Sequence, residues 1–376
     1  MVSMKQFIYA DNAATTKLDL DAFNAMKPYL LDEYANASQI YLFAKKPREA
    51  IVNARSTIAK CINALPEEIF FTSGGTESNN WAIKGLPFPN GGKIITTEIE
   101  HYSVLKSCKW LEKIGCSVIF LPVTQAGEVS ERLLKTAIDL NTRLVSVMYA
   151  NNEIGTIQPI KKLCETAHQC GVPFHTDAVQ AIGHIPVDVR KIGVDMLSAS
   201  AHKFNGPKGI GFLYVKKGTQ LYSYMHGGAQ ELGMRAGTEN IASIVGMAVA
   251  LEKNCNNIHK NSEYVFMLEK VLLDILTKEK IDFKLNGSNN KLPGVVSLSF
   301  KNKSAEAILH RMDIMGICIS AGAACKSTDI QISHVLKAVN LSKSYANGTV
   351  RISFSKDNTA EEARLIAEAI VKIENE

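Results

Sequence analysis

No stretch of the chain approaches the roughly 20 consecutive apolar residues that a transmembrane helix needs. The apolar run near the start is too short for a signal peptide. A cytoplasmic protein without membrane contact is therefore expected. Dense Lys/Arg blocks are missing too. Lys and Arg number 42 against 37 Asp and Glu, and a net charge of +5 spread over 376 residues gives no reason to expect nucleic acid as a partner. There is no internal repeat, no low-complexity segment and no Pro/Ser-rich linker. Two nucleotide signatures, G-x-x-x-x-G-K-[ST] and a G-x-G-x-x-G after a strand, are also absent. Cysteines are present at 61, 108, 116, 164, 170, 255, 318 and 325. In a long chain without an export signal they stay reduced and form no disulfide framework. Most are expected to be small buried hydrophobes.

What is there reads as a globular protein, with 46% hydrophobic and 21% charged residues. The length suits two domains of roughly 100–200 residues each. From about 65 to 215, apolar runs at 69–72, 93–97, 117–121, 144–149, 172–176, 196–200 and 210–215 alternate with helix patterns at 76–85, 103–114, 130–138 and 160–170. Strand–helix alternation with nearly continuous apolar strands predicts a mainly parallel sheet covered on both faces. The Gly/Pro-rich turn before the last run allows one antiparallel pair. Beyond about 260 the texture changes. A helix is predicted at 262–278, strands at 294–300, 316–320 and 349–354, and a final helix whose Thr359 and Glu362 form a capping box. Ala363, Ile366, Ile370 and Ile373 mark its buried stripe. The expected division is a large α/β domain over 13–259 and a small α+β domain of 1–12 and 260–376.

Three motifs carry chemistry. Thr72-Ser73-Gly74-Gly75-Thr76-Glu77 places glycines between a strand and a helix, where free N–H groups suit a phosphate. An ordinary capped turn is the bland alternative. Asp177, in His175-Thr176-Asp177-Ala178-Val179-Gln180, sits where a buried strand ends, the edge at which open α/β sheets bind ligands. Such a carboxylate needs a cationic partner, unless it is a simple helix cap. Lys203, in Ser200-Ala201-His202-Lys203, ends another strand and can form an imine, or else is a surface lysine. Together, a phosphate cradle, an acid and a lysine at strand ends of one sheet are what a pyridoxal phosphate site needs. Cys164, His168 and Cys170 lie close in sequence, but a structural zinc usually takes four ligands.

The order and spacing of these motifs resemble the cysteine desulfurases, in the class V aminotransferase group of fold-type I pyridoxal phosphate enzymes. The likeness runs from Tyr9–Thr16 through Thr72–Glu77, Glu100–Ser103, Asn151–Gly155, His175–Gln180, Ser200–Lys203 and Arg235–Asn240 to Ala321–Cys325 and Arg351–Ser353. The resemblance implies a seven-stranded, mainly parallel sheet and these roles. Lys203 is the Schiff-base lysine and Asp177 the pyridinium partner. His101 stacks on the ring and serves as acid/base, and Gln180 bonds the ring hydroxyl. Gly75, Thr76, Ser200 and His202 hold the phosphate, and Thr238 reaches the phosphate of the other subunit of a homodimer. Asn152 and Arg351 bind the substrate carboxylate, for which the planar arginine fork is suited.

Cys325 is the discriminating residue. It stands in Ser320-Ala321-Gly322-Ala323-Ala324-Cys325-Lys326-Ser327, which reads as a loop, with Lys326 favouring the thiolate. The resemblance makes it the nucleophile that takes sulfur from L-cysteine as a persulfide, releasing L-alanine. The sulfur then passes to an acceptor protein, either an iron–sulfur scaffold or a thiolation enzyme. Selenocysteine lyase and cysteine sulfinate desulfinase share the cofactor residues. A plain transaminase, or a non-catalytic partner that keeps the fold, is a further alternative. The sequence departs from the family pattern at Ala37, Tyr41 and Leu232.

Overall fold

The computed structural model describes residues 7–88, 91–321 and 332–375. The chain starts with β1 (Ile8–Tyr9), α1 (Leu20–Leu31) and α2 (Lys45–Cys61). Alternation follows: β2 (Ile69–Thr72), α3 (Gly75–Lys84), β3 (Lys93–Thr97), α4 (Tyr102–Lys113), β4 (Ser117–Leu121), α5 (Glu131–Ala137), β5 (Thr142–Ser146), α6 (Ile160–Gln169), β6 (Phe174–Asp177), α7 (Val189–Ile192), β7 (Met196–Ser200) and β8 (Gly211–Val215). Two helices come next, α8 (Ile241–Asn256) and α9 (Ile258–Lys278). The remainder is β9 (Phe283–Leu285), β10 (Val295–Phe300), α10 (Ala305–Ile314), β11 (Ile317–Cys318), β12 (Ser320–Ala321), α11 (His334–Ala338), α12 (Lys343–Ala346), β13 (Thr349–Ser353) and α13 (Ala360–Asn375).

The large sheet has seven strands in the order β2-β8-β7-β6-β5-β3-β4. β4, β3, β5, β6 and β7 run parallel. β8 is antiparallel to both its neighbours, so two antiparallel ladders replace the single one expected. Residues 201–210 are too few for a parallel crossover, which takes a dozen or more. The chain must turn back at once, and β2 closes onto the reversed strand. Successive strand residues enter opposite cores, as the pleat requires. Phe71, Ile95, Val145 and Phe212 join one cluster, which also holds Ile58, Ile244 and Leu251 of α2 and α8. Phe70, Ile94, Leu144 and Leu213 face the other way, against Trp81, Val104 and Leu111 of α3 and α4.

A second, antiparallel sheet runs β12-β13-β10-β9. Its apolar face packs α9, α10 and α13 into a core of its own, with Leu268, Leu298, Phe300, Met312, Ile352 and Ile370. The capping box of α13 is formed as expected: Glu362 N–H donates to Thr359 Oγ1 at 3.1 Å, and Thr359 N–H to Glu362 Oε2 at 2.9 Å. The run 316–320 is two short strands rather than one. β11 pairs with β1 and β12 with β13, so the chain changes sheets at Ile319. The helix expected from 262 begins at Ile258, and only Asn257 separates it from α8. Cys108, Cys116 and Cys164 are buried. Cys61, Cys255 and Cys318 are only partly so and Cys170 is exposed, which narrows the expectation that most are core residues. His168 pairs with Asp195 at 2.7 Å. Among the described residues no helix is long and apolar enough to cross a membrane.

Candidate active site

The parallel strands end at one edge of the sheet, and the motifs gather there. A cavity of about 640 Å³ is lined by Gly75, Thr76, His101, Asn152, Asp177, Gln180, Ser200, His202, Lys203 and Arg351. The first nine come from the carboxyl ends of β2, β3, β5, β6 and β7 or the turns after them. Arg351 reaches in from β13 of the second sheet. Thr238 is exposed and lies outside the cavity. Cys325 lies outside the described residues.

The strand β2 delivers the chain to Gly74, whose φ of 147° belongs to a region that only glycine occupies comfortably. This turn starts α3 beneath the cavity. A Cβ on Gly75 would stand 2.5 Å from Val179 Cγ2, so the cradle has no room for a side chain. Asp177 ends β6 and is 5% exposed. The cationic partner expected for it is absent among the described residues. Its Oδ2 accepts a bond from Asn79 Nδ2 at 2.6 Å and its Oδ1 one from Val179 N–H at 3.0 Å. These are neutral donors, so they hold the carboxylate in place without cancelling its charge. Asn79 also donates to Ser103 Oγ at 2.8 Å, and Ser103 Oγ lies 2.8 Å from His101 Nδ1. One hydrogen-bonded chain thus ties the acid to the exposed imidazole at the N-cap of α4.

Lys203 Nζ donates to the carbonyls of Ala13 and Ala14 at 2.6 and 2.8 Å. Burial first, then the Arg351 guanidinium, pull its ammonium down to about 8, against the attraction of Asp177 and Asp11. Burial, with Lys203 and Lys208 nearby, lowers His202 to about 4, so its ring is neutral at pH 7. His202 Nδ1 lies 3.1 Å from Thr15 Oγ1, and Gln180 Nε2 donates to the Ala13 carbonyl at 3.0 Å. Arg351 is 6% exposed. It donates through Nη2 to Asp11 Oδ1 at 2.6 Å and through Nη1 to the Asn152 carbonyl at 2.8 Å, while its buried Nε has no partner among the described residues. An anion entering here finds a fixed guanidinium with unspent donor capacity.

The profile of the "Aminotransferase class-V" family matches residues 8–366. The chain belongs to that family. Among curated relatives, "Cysteine desulfurase IscS" of Dictyoglomus turgidum is 45% identical over 374 residues, covering 98% of this chain and 95% of the relative. "Cysteine desulfurase IscS" of Methanosarcina thermophila is 44% identical over 370 residues, covering 97% and 91%. Among solved structures, a "NifS-like protein" superposes with a TM-score of 0.92 at 35% identity, covering 98% of this chain and 99% of the other. "SspA in complex with cysteine" gives 0.84 at 38%, covering 94% and 100%.

The class V site fits pyridoxal phosphate. The fit rests on the side-chain-free turn at the start of α3, a lysine whose ammonium is pulled down to about 8, and a buried carboxylate with only neutral donors. The sequence motifs do not mark four contributors. Asn79 stands four residues after Gly75, one helical turn on, and that spacing on a helix opening at a phosphate cradle is the signal that could have found it. Asp11 and the carbonyls of Ala13 and Ala14 belong to a segment noticed only for its likeness to the family.

Proposed function

We propose that this chain is a pyridoxal phosphate-dependent cysteine desulfurase that passes sulfur from L-cysteine through Cys325 to an acceptor. The observation that carries the proposal is the convergence of Lys203, Asp177 and Arg351 on one cavity. The relatives named cysteine desulfurase, and Cys325 in the sequence, select desulfuration among the reactions such a site supports.

Lys203 would hold the cofactor covalently. Gly75, Thr76, Ser200 and His202 would take its phosphate, and Gln180 its ring hydroxyl. Asp177, kept in place by Asn79 and Val179, would pair with the pyridine nitrogen and favour its protonated form. When bound, the cofactor supplies an electron sink for negative charge at the substrate Cα. Arg351 and Asn152 bind the substrate carboxylate. His101 would cover the ring and move protons at the substrate. The Cys325 thiolate then bonds to the substrate sulfur as the Cβ–S bond breaks. The electron pair of that bond stays with carbon, which gains a proton and leaves in alanine. The balance is L-cysteine plus the Cys325 thiol giving L-alanine plus the Cys325 persulfide. No outside oxidant is needed.

By the family resemblance the working unit is a homodimer, in which exposed Thr238 would reach the phosphate of the partner subunit's site. The acceptor is an iron–sulfur scaffold or a thiolation enzyme, and the setting is the cytoplasm. The separate apolar cores support a large domain over 13–259 and a small one of 1–12 and 260–376.

Sulfide and alanine release from L-cysteine with added thiol tests the proposal, wild type beside Cys325→Ala. Equal amounts from the wild type, with both lost in the variant, are expected. Equal product from both proteins would demote Cys325 and point to a lyase. Silence from a cofactor-loaded wild type would remove the desulfurase assignment.

A further inference from the structure

The turn at 151–154 faces two parts of the molecule. Asn151 Oδ1 accepts N–H bonds from Glu153 at 2.8 Å and Ile154 at 3.0 Å, which sets the turn. The carbonyl of Asn152 is held by Arg351. The next residue, Glu153, points the other way. Its Oε2 accepts the Ser333 hydroxyl at 2.5 Å. Ser333 is the N-cap of α11, and its oxygen accepts the Val335 N–H at 3.0 Å. His334 follows, donating from Nε2 to the Glu100 carbonyl at 2.9 Å, with its ring 5.0 Å from that of Tyr102. Behind these ties Ile154, Ile99 and Met148 pack against Val335 and Leu336 in a small core apart from the large ones. The start of α11 is therefore fastened to the residues that flank His101 and Asn152. Ser333 comes eight residues after Cys325 in the sequence.

We infer that Glu153 and Ser333 are positioning residues for sulfur transfer: their bond fixes the point from which the Cys325 segment departs, in register with the turn that holds Arg351. The inference rests on the desulfurase proposal. A charge-assisted bond is the stronger kind. Burial pushes the Glu153 carboxyl up to about 7, while the Ser333 hydroxyl and Arg351 favour its charged form. Removing the hydroxyl leaves a desolvated carboxylate without its donor, which costs more than the bond contributes.

The test compares cofactor-loaded Ser333→Ala, Glu153→Ala and Glu153→Gln with wild type, reading kcat and KM for alanine release and the absorbance change when L-cysteine is added. Misplacing a reacting group by about 1 Å can cost roughly 100-fold in rate. Both alanine variants should lose roughly tenfold or more in kcat, on that argument. Their KM and the absorbance change should stay. Glu153→Gln still accepts from Ser333 and should retain most of the rate. The double alanine variant should be no slower than the slower single one, because the residues act as a unit. A raised KM with kcat intact would overturn the inference, because the pair would then act only on substrate binding, by holding the turn that carries Asn152. Unchanged kinetics in Ser333→Ala would overturn it as well, even if Glu153→Ala failed to fold. Silence from the wild type would instead sink the desulfurase proposal.

Discussion

At the scale of single residues, Lys203 shows how far a sequence can carry a site. Its place at a strand end is legible, and its role becomes so only beside the phosphate cradle, Asp177 and the family resemblance, because a lone lysine there also reads as a surface residue. Its reactivity is not legible, because the groups that set it lie far away in sequence. Burial and Arg351 lower the ammonium to about 8, whereas an unperturbed lysine titrates near 10.4. Only the free amine attacks an aldehyde. Capture of pyridoxal phosphate by cofactor-free protein should therefore speed up with pH, pass a midpoint near 8 and level off. Yellow absorbance after mixing, followed from pH 6 to 10, measures this. Arg351 lowers the lysine, so Arg351→Ala should move the midpoint upward. A rate that keeps climbing towards the ordinary lysine range would show that burial does not set the amine's reactivity. Asn79 is the opposite case. An asparagine inside a helix reads as a surface residue, and only the docking of α3 beside β6 turns it towards Asp177.

At the scale of elements, strands buried on both faces are easily read. β2, β3, β6, β7 and β8 are buried along their whole length. The errors fall where an apolar run outlasts its ladder. The run 144–149 suggests a strand, yet β5 stops at Ser146. Beyond it, Val147 and Tyr149 still donate to carbonyls of β6 at 3.1 and 2.8 Å, but pairing with β3 ends at Val145. The released residues become cavity wall at Met148 and Ala150. Apolar character there serves the cavity, and no periodicity separates that use from a strand core. The turn before α3 is equally tight. Gly75→Ala places a methyl 2.5 Å from Val179 Cγ2, and Val179 N–H is one of the two donors to Asp177. Overpacking of this kind costs about 1–3 kcal/mol. The variant should melt several degrees lower and lose bound cofactor on dialysis, read by thermal scan and absorbance. Full cofactor retention would show that Val179 yields without disturbing Asp177.

At the scale of the whole molecule, residues 8–16 join everything described above. Ala10 N–H donates to the Cys318 carbonyl of β11, Asn12 N–H donates to the Ser353 carbonyl of β13, and Ser353 N–H donates back to the Ala10 carbonyl. Ala13 and Ala14 present their carbonyls to Lys203, and Thr16 N–H donates to the His202 carbonyl at 2.9 Å. Between these contacts Asp11 meets Arg351. The side chains of that pair are 20% and 7% exposed, so it is largely withdrawn from water. Removing one partner of a buried pair costs roughly 3–5 kcal/mol, because the other charge is left unpaired. Among the described residues Arg351 Nε already has no partner, which places Asp11→Ala within that range; the partial exposure of Asp11 puts it at the low end, about 3 kcal/mol. Urea unfolding should show the loss as a lower midpoint with an unchanged slope. Asp11→Asn still accepts from Nη2 and should lose less than half as much. If Asp11→Ala unfolded at the wild-type midpoint, water would be reaching the guanidinium freely. Arg351 would then be solvated before substrate arrives, and the pairing of the N-terminal segment with β13 would contribute position alone.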